Sequence, residues 1–138
     1  MTAIVLDTNV ISELVRLAPD PKVVQFLGSV ENPIVSAIVF PELAYGVERL
    51  RDAAKRMQLE LFLQGAKAMY EGRIVGVDLA LAELAERLRA QASRFGWVLA
   101  QFGSLIAATA IQTGAKLATR NIVDFERLGV ALINPRAD

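Results

Sequence analysis

Ala3–Leu6 is a short unbroken apolar run, the pattern of a strand buried on both faces. Asp7-Thr8-Asn9 stops it, and VISELVRL then carries apolar residues at helical spacing. Asp20-Pro21 opens a second helix: Asp suits the N-cap and Pro the first helical position, ahead of KVVQFL. Gly28 or Ser29 ends it. Pro33–Ser36 reads as a second strand, after which IVFPELAYGVERL returns to helical spacing. Pro41 fits that helix within its first turn, where backbone N–H groups lack helical partners anyway.

A helix with charges on one side is predicted from about Asp52 to Met69, and Arg73–Val77 reads as a third strand. Asp78 is placed to cap LALAELAERLRAQASRF. The chain turns around Gly96–Gly103, and SLIAATAIQTGA reads as a mostly buried helix. Lys116–Thr119 is a short strand, Asn121–Leu128 a turn or short helix, and Val130–Ile133 a last strand. Short apolar strands alternating with helices predict one α/β domain over residues 1–138, with a mostly parallel, short-stranded sheet flanked by helices. In such sheets, ligands bind beyond the carboxyl ends of the strands.

Composition narrows the chemistry. The 138 residues contain neither Cys nor His, which excludes disulfides, thiolate nucleophiles, imidazole bases and the usual zinc sites. Any catalysis falls to carboxylates, hydroxyls, amides, Lys and Arg, so carboxylates around a hard divalent cation come first. Fifteen Lys+Arg balance fifteen Asp+Glu, which argues against a strongly basic nucleic-acid scaffold without forbidding local patches. No signal peptide or bilayer-length apolar run is apparent, so the expectation is a soluble cytoplasmic protein with no membrane partner.

Three acids stand just past predicted strands. Asp7 follows the first, and either serves a ligand there or caps the next helix, as Asn9 also could. Glu42 lies in the first turn of a helix, where an acid also simply favours the dipole. Asp124, in TRNIVDFE, follows the fourth strand and could equally cap or salt-bridge. Together they could gather at one sheet edge, where like charges repel unless a cation neutralises them. Mg²⁺ or Mn²⁺ binds through one or two carboxylates plus waters, and such a site assists phosphoryl displacement.

VLDTNVISEL, SAIVFPELAYGVERL and SLIAATAIQTGAKLATRNIVDFERLGVALINP together resemble the PIN domain, specifically VapC/FitB-like toxins of bacterial toxin–antitoxin pairs. The resemblance runs from Leu6 to Pro135 and implies a PIN-like three-layer fold and divalent-metal-dependent RNA cleavage by an acidic cluster. It places the catalytic and metal-binding acids on Asp7, Glu42 and Asp124, or on Asn121 where some relatives carry Asp. Asn9, Thr119 and Asn121 match positions that order the site. It also implies a homodimer and a VapB-like antitoxin that inserts a basic side chain into the acidic pocket, with DNA reached only through the antitoxin. A mean hydropathy of +0.38 points the same way, towards apolar surface covered by another chain.

One position departs from that pattern. The family carries Asp three residues before IAATA, where this chain has Gly103, and no acid occurs between Glu86 and Asp124 to replace it. Reduced metal affinity and cleavage are expected. The glycine reads as natural divergence or as an inactivating substitution, and the intact flanking motifs favour the second. The competing reading is a non-catalytic PIN-like module that keeps only antitoxin binding. For RNA contact, Arg120 is the first candidate and Lys116 the second. Tyr45, Phe95, Trp97 and Phe102 are expected to serve packing or interfaces rather than base stacking. A haloacid-dehalogenase-like site would need Asp where Asn9 stands, and no glycine-rich nucleotide loop is present.

Overall fold

The computed structural model describes residues 2–136. Residues 1, 137 and 138 of the expected domain lie outside them. Five strands, β1 (Ile4–Leu6), β2 (Pro33–Ser36), β3 (Ile74–Val75), β4 (Lys116–Ala118) and β5 (Leu132–Ile133), form one sheet in the order β3-β2-β1-β4-β5. Every pairing is parallel, with Ile4 opposite Pro33 and Lys116, Val35 opposite Ile74, and Leu117 opposite Leu132. Around it lie α1 (Thr8–Ile11), α2 (Pro21–Ser29), α3 (Val39–Arg49), α4 (Ala53–Met69), α5 (Leu79–Arg94), α6 (Gln101–Thr113) and α7 (Ile122–Phe125).

From β1 the chain moves outward to β2 and β3, then returns to β4 and β5 on the other side. The crossover reverses beside β1, so the carboxyl end of β1 is the topological switch point where such sheets leave a crevice. Asp7 is the first residue past that end. The core runs under this edge: Val5, Val35, Ala107, Ala108, Ala110, Leu117 and Ala118 have no exposed surface. All seven residues from Ser104 to Ala110 are buried, because α6 packs on β1, β2 and β4 and is covered by α5. Its alanines permit that close approach. Gly114, at φ 67°, takes the left-handed conformation that ends α6 and returns the chain to β4.

Several acids have purely local roles. Asp20 accepts from the N–H of Lys22 at 2.9 Å and Asp78 from Leu81 at 2.9 Å, each capping its helix as expected, and Asp52 caps α4 by accepting from Ala54 at 2.9 Å. Other expectations shift. VISELVRL is one short α-turn followed by a 3₁₀ turn over Ser12–Val15, since the chain must reverse before α2. Helix α6 begins at Gln101, so Gly103 sits in its first turn instead of the preceding loop. Pro41 lies in the first turn of α3, where it costs no helical bond. Among the described residues, no helix is long and apolar enough to cross a membrane.

Candidate active site

A cleft of about 520 Å³ opens at the carboxyl edge of the sheet and is lined by Asp7, Asn9, Glu42, Gly103, Asn121 and Asp124, among others. Elements distant in sequence supply it: β1 ends at Asp7, the first turn of α3 carries Glu42, α6 opens with Gly103 and α7 carries Asp124. The three acids therefore line one cleft at the sheet edge.

Asp7 is only 6% exposed and uses both oxygens. Oδ1 accepts from the N–H of Thr8 at 2.8 Å, so the capping role is real, and Oδ2 accepts from the Thr119 hydroxyl at 2.7 Å. Burial pushes its pKa above the ordinary carboxylate value and the Asp124 charge adds to this, while the Thr119 and Thr8 bonds oppose it. Glu42 accepts from the Thr8 hydroxyl at 2.7 Å, which ties the second acid to the residue beside the first. Its pKa is also raised, chiefly by burial and further by the Asp7 charge, against the Thr8 bond. Asp124 lies at the exposed rim.

The residues expected to order the site are hydrogen-bonded around Asp7. The Thr119 hydroxyl accepts from the Asn121 N–H at 3.0 Å and from the Asn9 amide at 3.5 Å, while Asn9 Oδ1 accepts from the Arg120 N–H at 3.3 Å.

Gly103 leaves the first turn of α6 without an acid, and Ala100 provides no side-chain cap. A Cβ at Gly103 would lie 3.7 Å from the Phe125 ring and 3.8 Å from Leu99 Cδ1, ordinary contact distances. A Cβ is therefore accommodated there without displacing its neighbours. Among the described residues, no three acids converge closely enough to form a preformed metal cage. The donors are carboxylate, hydroxyl and amide oxygens, and the Asp124 charge raises the Asp7 pKa while the Asp7 charge raises that of Glu42. This set fits a hydrated divalent ion held by one or two carboxylates rather than a fully enclosed one.

The basic candidates are placed elsewhere. Arg120 turns its guanidinium to Glu13, 3.0 Å away, instead of towards the cleft. Lys116 begins β4 opposite Ile4, at the amino end of the sheet, so the strand's own length separates it from the carboxyl-edge site. Of the aromatics, Trp97 packs against the core, with Arg127 over its ring at 5.6 Å. Tyr45 and Phe95 are surface residues, 65% and 79% exposed, because α3 and the end of α5 turn those positions outward. Phe102, 43% exposed, lines the cleft beside Gly103.

Two participants escape the sequence reading. Thr8 binds Glu42, and only its place beside Asp7 hinted at it. Glu13 is 1% exposed and collects Arg16, Arg120 and the N–H of Asp20; an acid in the apolar stripe of VISELVRL was its signal.

A family model for the PIN domain matches residues 4–131. The toxin FitB of Neisseria gonorrhoeae is 38% identical over 138 residues, spanning 98% of this chain and 99% of its own. The VapC ribonuclease Y4jK of Sinorhizobium fredii is 36% identical over 135 residues, spanning 96% of each. The crystal structure of FitAcB from Neisseria gonorrhoeae superposes with a TM-score of 0.87 at 37% identity, covering 96% of this chain and 97% of that one. An all-parallel sheet with acids gathered at its switch point, matched over nearly its whole length, places this chain in the PIN-domain family.

Proposed function

We propose that the chain is the toxin of a type II toxin–antitoxin pair, a divalent-metal-dependent endoribonuclease whose cleavage is weakened by Gly103. The convergence of Asp7, Glu42 and Asp124 on one cleft, with Gly103 in the same wall, carries this reading. The names of the two relatives, a toxin and a ribonuclease, support it.

Asp7 and Glu42 would hold Mg²⁺ or Mn²⁺, with Asp124 at the rim. The ion, when bound, supplies Lewis-acid polarisation of a phosphodiester oxygen and a more acidic water. Thr119 and the Thr8 N–H fix both oxygens of Asp7, so its free lone pairs point in set directions. Thr8 does the same for one oxygen of Glu42. Gly103 contributes no charge, so one ligand of the cluster is missing.

The expected partners are RNA, a second copy of the chain and a VapB-like antitoxin in the same cytoplasmic compartment, with DNA reached only through the antitoxin. Among the described residues, no Lys or Arg forms a salt bridge with Asp7, Glu42 or Asp124, which suits an arginine supplied in trans. The second reading, a non-catalytic antitoxin-binding module, is favoured by one observation: the acids present form no preformed cage among the described residues.

Mn²⁺- and Mg²⁺-dependent cleavage of total RNA by this chain and its Gly103→Asp variant separates them, with Asp7→Ala added to each as control. We expect Gly103→Asp to cut about 10- to 100-fold faster, and Asp7→Ala to abolish that gain. Equal cutting by both chains would show that three acids suffice. Cutting by neither would leave the binding module.

A further inference from the structure

A threonine hydroxyl has one proton and two lone pairs. In Thr119, with no exposed surface, the lone pairs face the Asn121 N–H at 3.0 Å and the Asn9 amide at 3.5 Å. Its proton is thereby directed to Asp7 Oδ2, 2.7 Å away. The direction of this bond depends on the Thr119–Asn121 turn holding its shape, and Arg120 is the middle residue of that turn. Its N–H is held by Asn9 and its guanidinium by Glu13 Oε2 at 3.0 Å. Glu13 is itself immobilised: it is 1% exposed, and Oε1 accepts from the Asp20 N–H at 2.8 Å.

We propose that Glu13 is a positioning residue for the acidic cleft, anchoring the Thr119–Asn121 turn through Arg120 so that the Thr119 hydroxyl stays on Asp7. This rests on the reading of Asp7 as a metal-binding carboxylate. Arg16 and Arg136 approach the same Glu13 oxygen, at 3.2 and 3.8 Å, but neither belongs to the Thr119–Asn121 turn whose hydroxyl binds Asp7. They share the electrostatic contact without the mechanical link, and so they separate positioning from bulk stability.

The test compares Arg120→Ala, Arg120→Lys and Arg16→Ala by amide hydrogen exchange and by Mn²⁺ affinity, in the parent and Gly103→Asp chains. Exchange at Asn121 is read relative to Leu117, whose N–H donates to Ala131 within the sheet. In Arg120→Ala this ratio should rise about tenfold, and Mn²⁺ affinity should fall about tenfold. Arg120→Lys should restore most of both, because an ammonium can still reach Glu13. Arg16→Ala should leave both within about twofold, whatever it does to the melting temperature. An unchanged exchange ratio in Arg120→Ala overturns the proposal, as does a raised ratio with unchanged Mn²⁺ affinity. If neither parent nor Gly103→Asp binds Mn²⁺, the metal reading above fails instead, and the exchange ratio alone decides the anchoring.

Discussion

Asp7 and Glu13 are buried acids on the same short stretch of chain, 6% and 1% exposed, and their surroundings differ in kind. Glu13 is met by the Asp20 N–H and by Arg16, Arg120 and Arg136, all within 4 Å. Asp7 is met by a hydroxyl and one N–H, with Glu42 and Asp124 near enough to repel it. Folding around Glu13 satisfies its charge. Folding around Asp7 brings more charge of the same sign. A buried carboxylate supplied with cations by its own chain holds the fold together; one denied them stores repulsion that a ligand can relieve.

The two acids also push stability in opposite directions with pH. The Asp20 N–H, aided by Arg16 and Arg120, holds the Glu13 pKa below its ordinary value against the effect of burial. Its contribution is complete above the ordinary glutamate value and is lost as pH falls through the lowered one. Asp7 and Glu42 are raised, first by burial, so the folded state favours their protonated forms. Their contribution is greatest below the ordinary values and is lost as pH rises through the raised ones.

The sharpest way to break this contrast is Glu13→Ala. It leaves the Arg120 and Arg136 groups without their shared acid, and the melting temperature should fall by about 10 °C or more. Thermal unfolding at pH 7 measures it; a loss no larger than that of a surface substitution would remove the distinction. The cost should shrink on acidification, as the parent's own Glu13 becomes protonated.

Asp7→Asn should act in the opposite sense. Asparagine keeps an acceptor for Thr119 and removes a repelled charge, so with chelator present at pH 7 the melting temperature should rise by a few degrees. The gain should vanish as pH drops below the ordinary aspartate range, where the parent's Asp7 is neutral as well. A loss of stability at pH 7 would mean that its hydrogen bonds outweigh the repulsion. Excess Mn²⁺ should narrow the gap by stabilising only the parent.

The smallest effect belongs to Lys116→Ala. Exposed at the amino end of β4, away from both acids, it should leave stability within about 0.5 kcal/mol. Cleavage by the Gly103→Asp chain should also stay within about twofold, as an RNA titration would show. A larger drop would draw RNA across the far edge of the sheet.

Much of this was legible in the chain. Asp20 and Asp78 announced their helices because a cap is a contact between residues two or three apart. The strand at Ala3–Leu6 was legible because burial on both faces requires an unbroken apolar run. The site acids could be named but not ranked. Asp7 combines a helix cap with a buried place in the cleft wall, and only the neighbouring strands decide that both apply. Arg120 stood beside the motif and pointed to RNA, yet its guanidinium is drawn to Glu13, 107 residues earlier.

By itself, then, the sequence determined the alternation of strands and helices, the absence of imidazole and thiol chemistry, and the missing acid at Gly103. The first two follow from local periodicity and from composition, which no fold can alter, and the third from the resemblance to PIN domains. Tertiary structure alone decided which acids are left unneutralised. Charge balance inside a protein is set by which segments the sheet order brings together, and β1 lying between β2 and β4 gave Arg120 to Glu13 and the other carboxylates to Asp7.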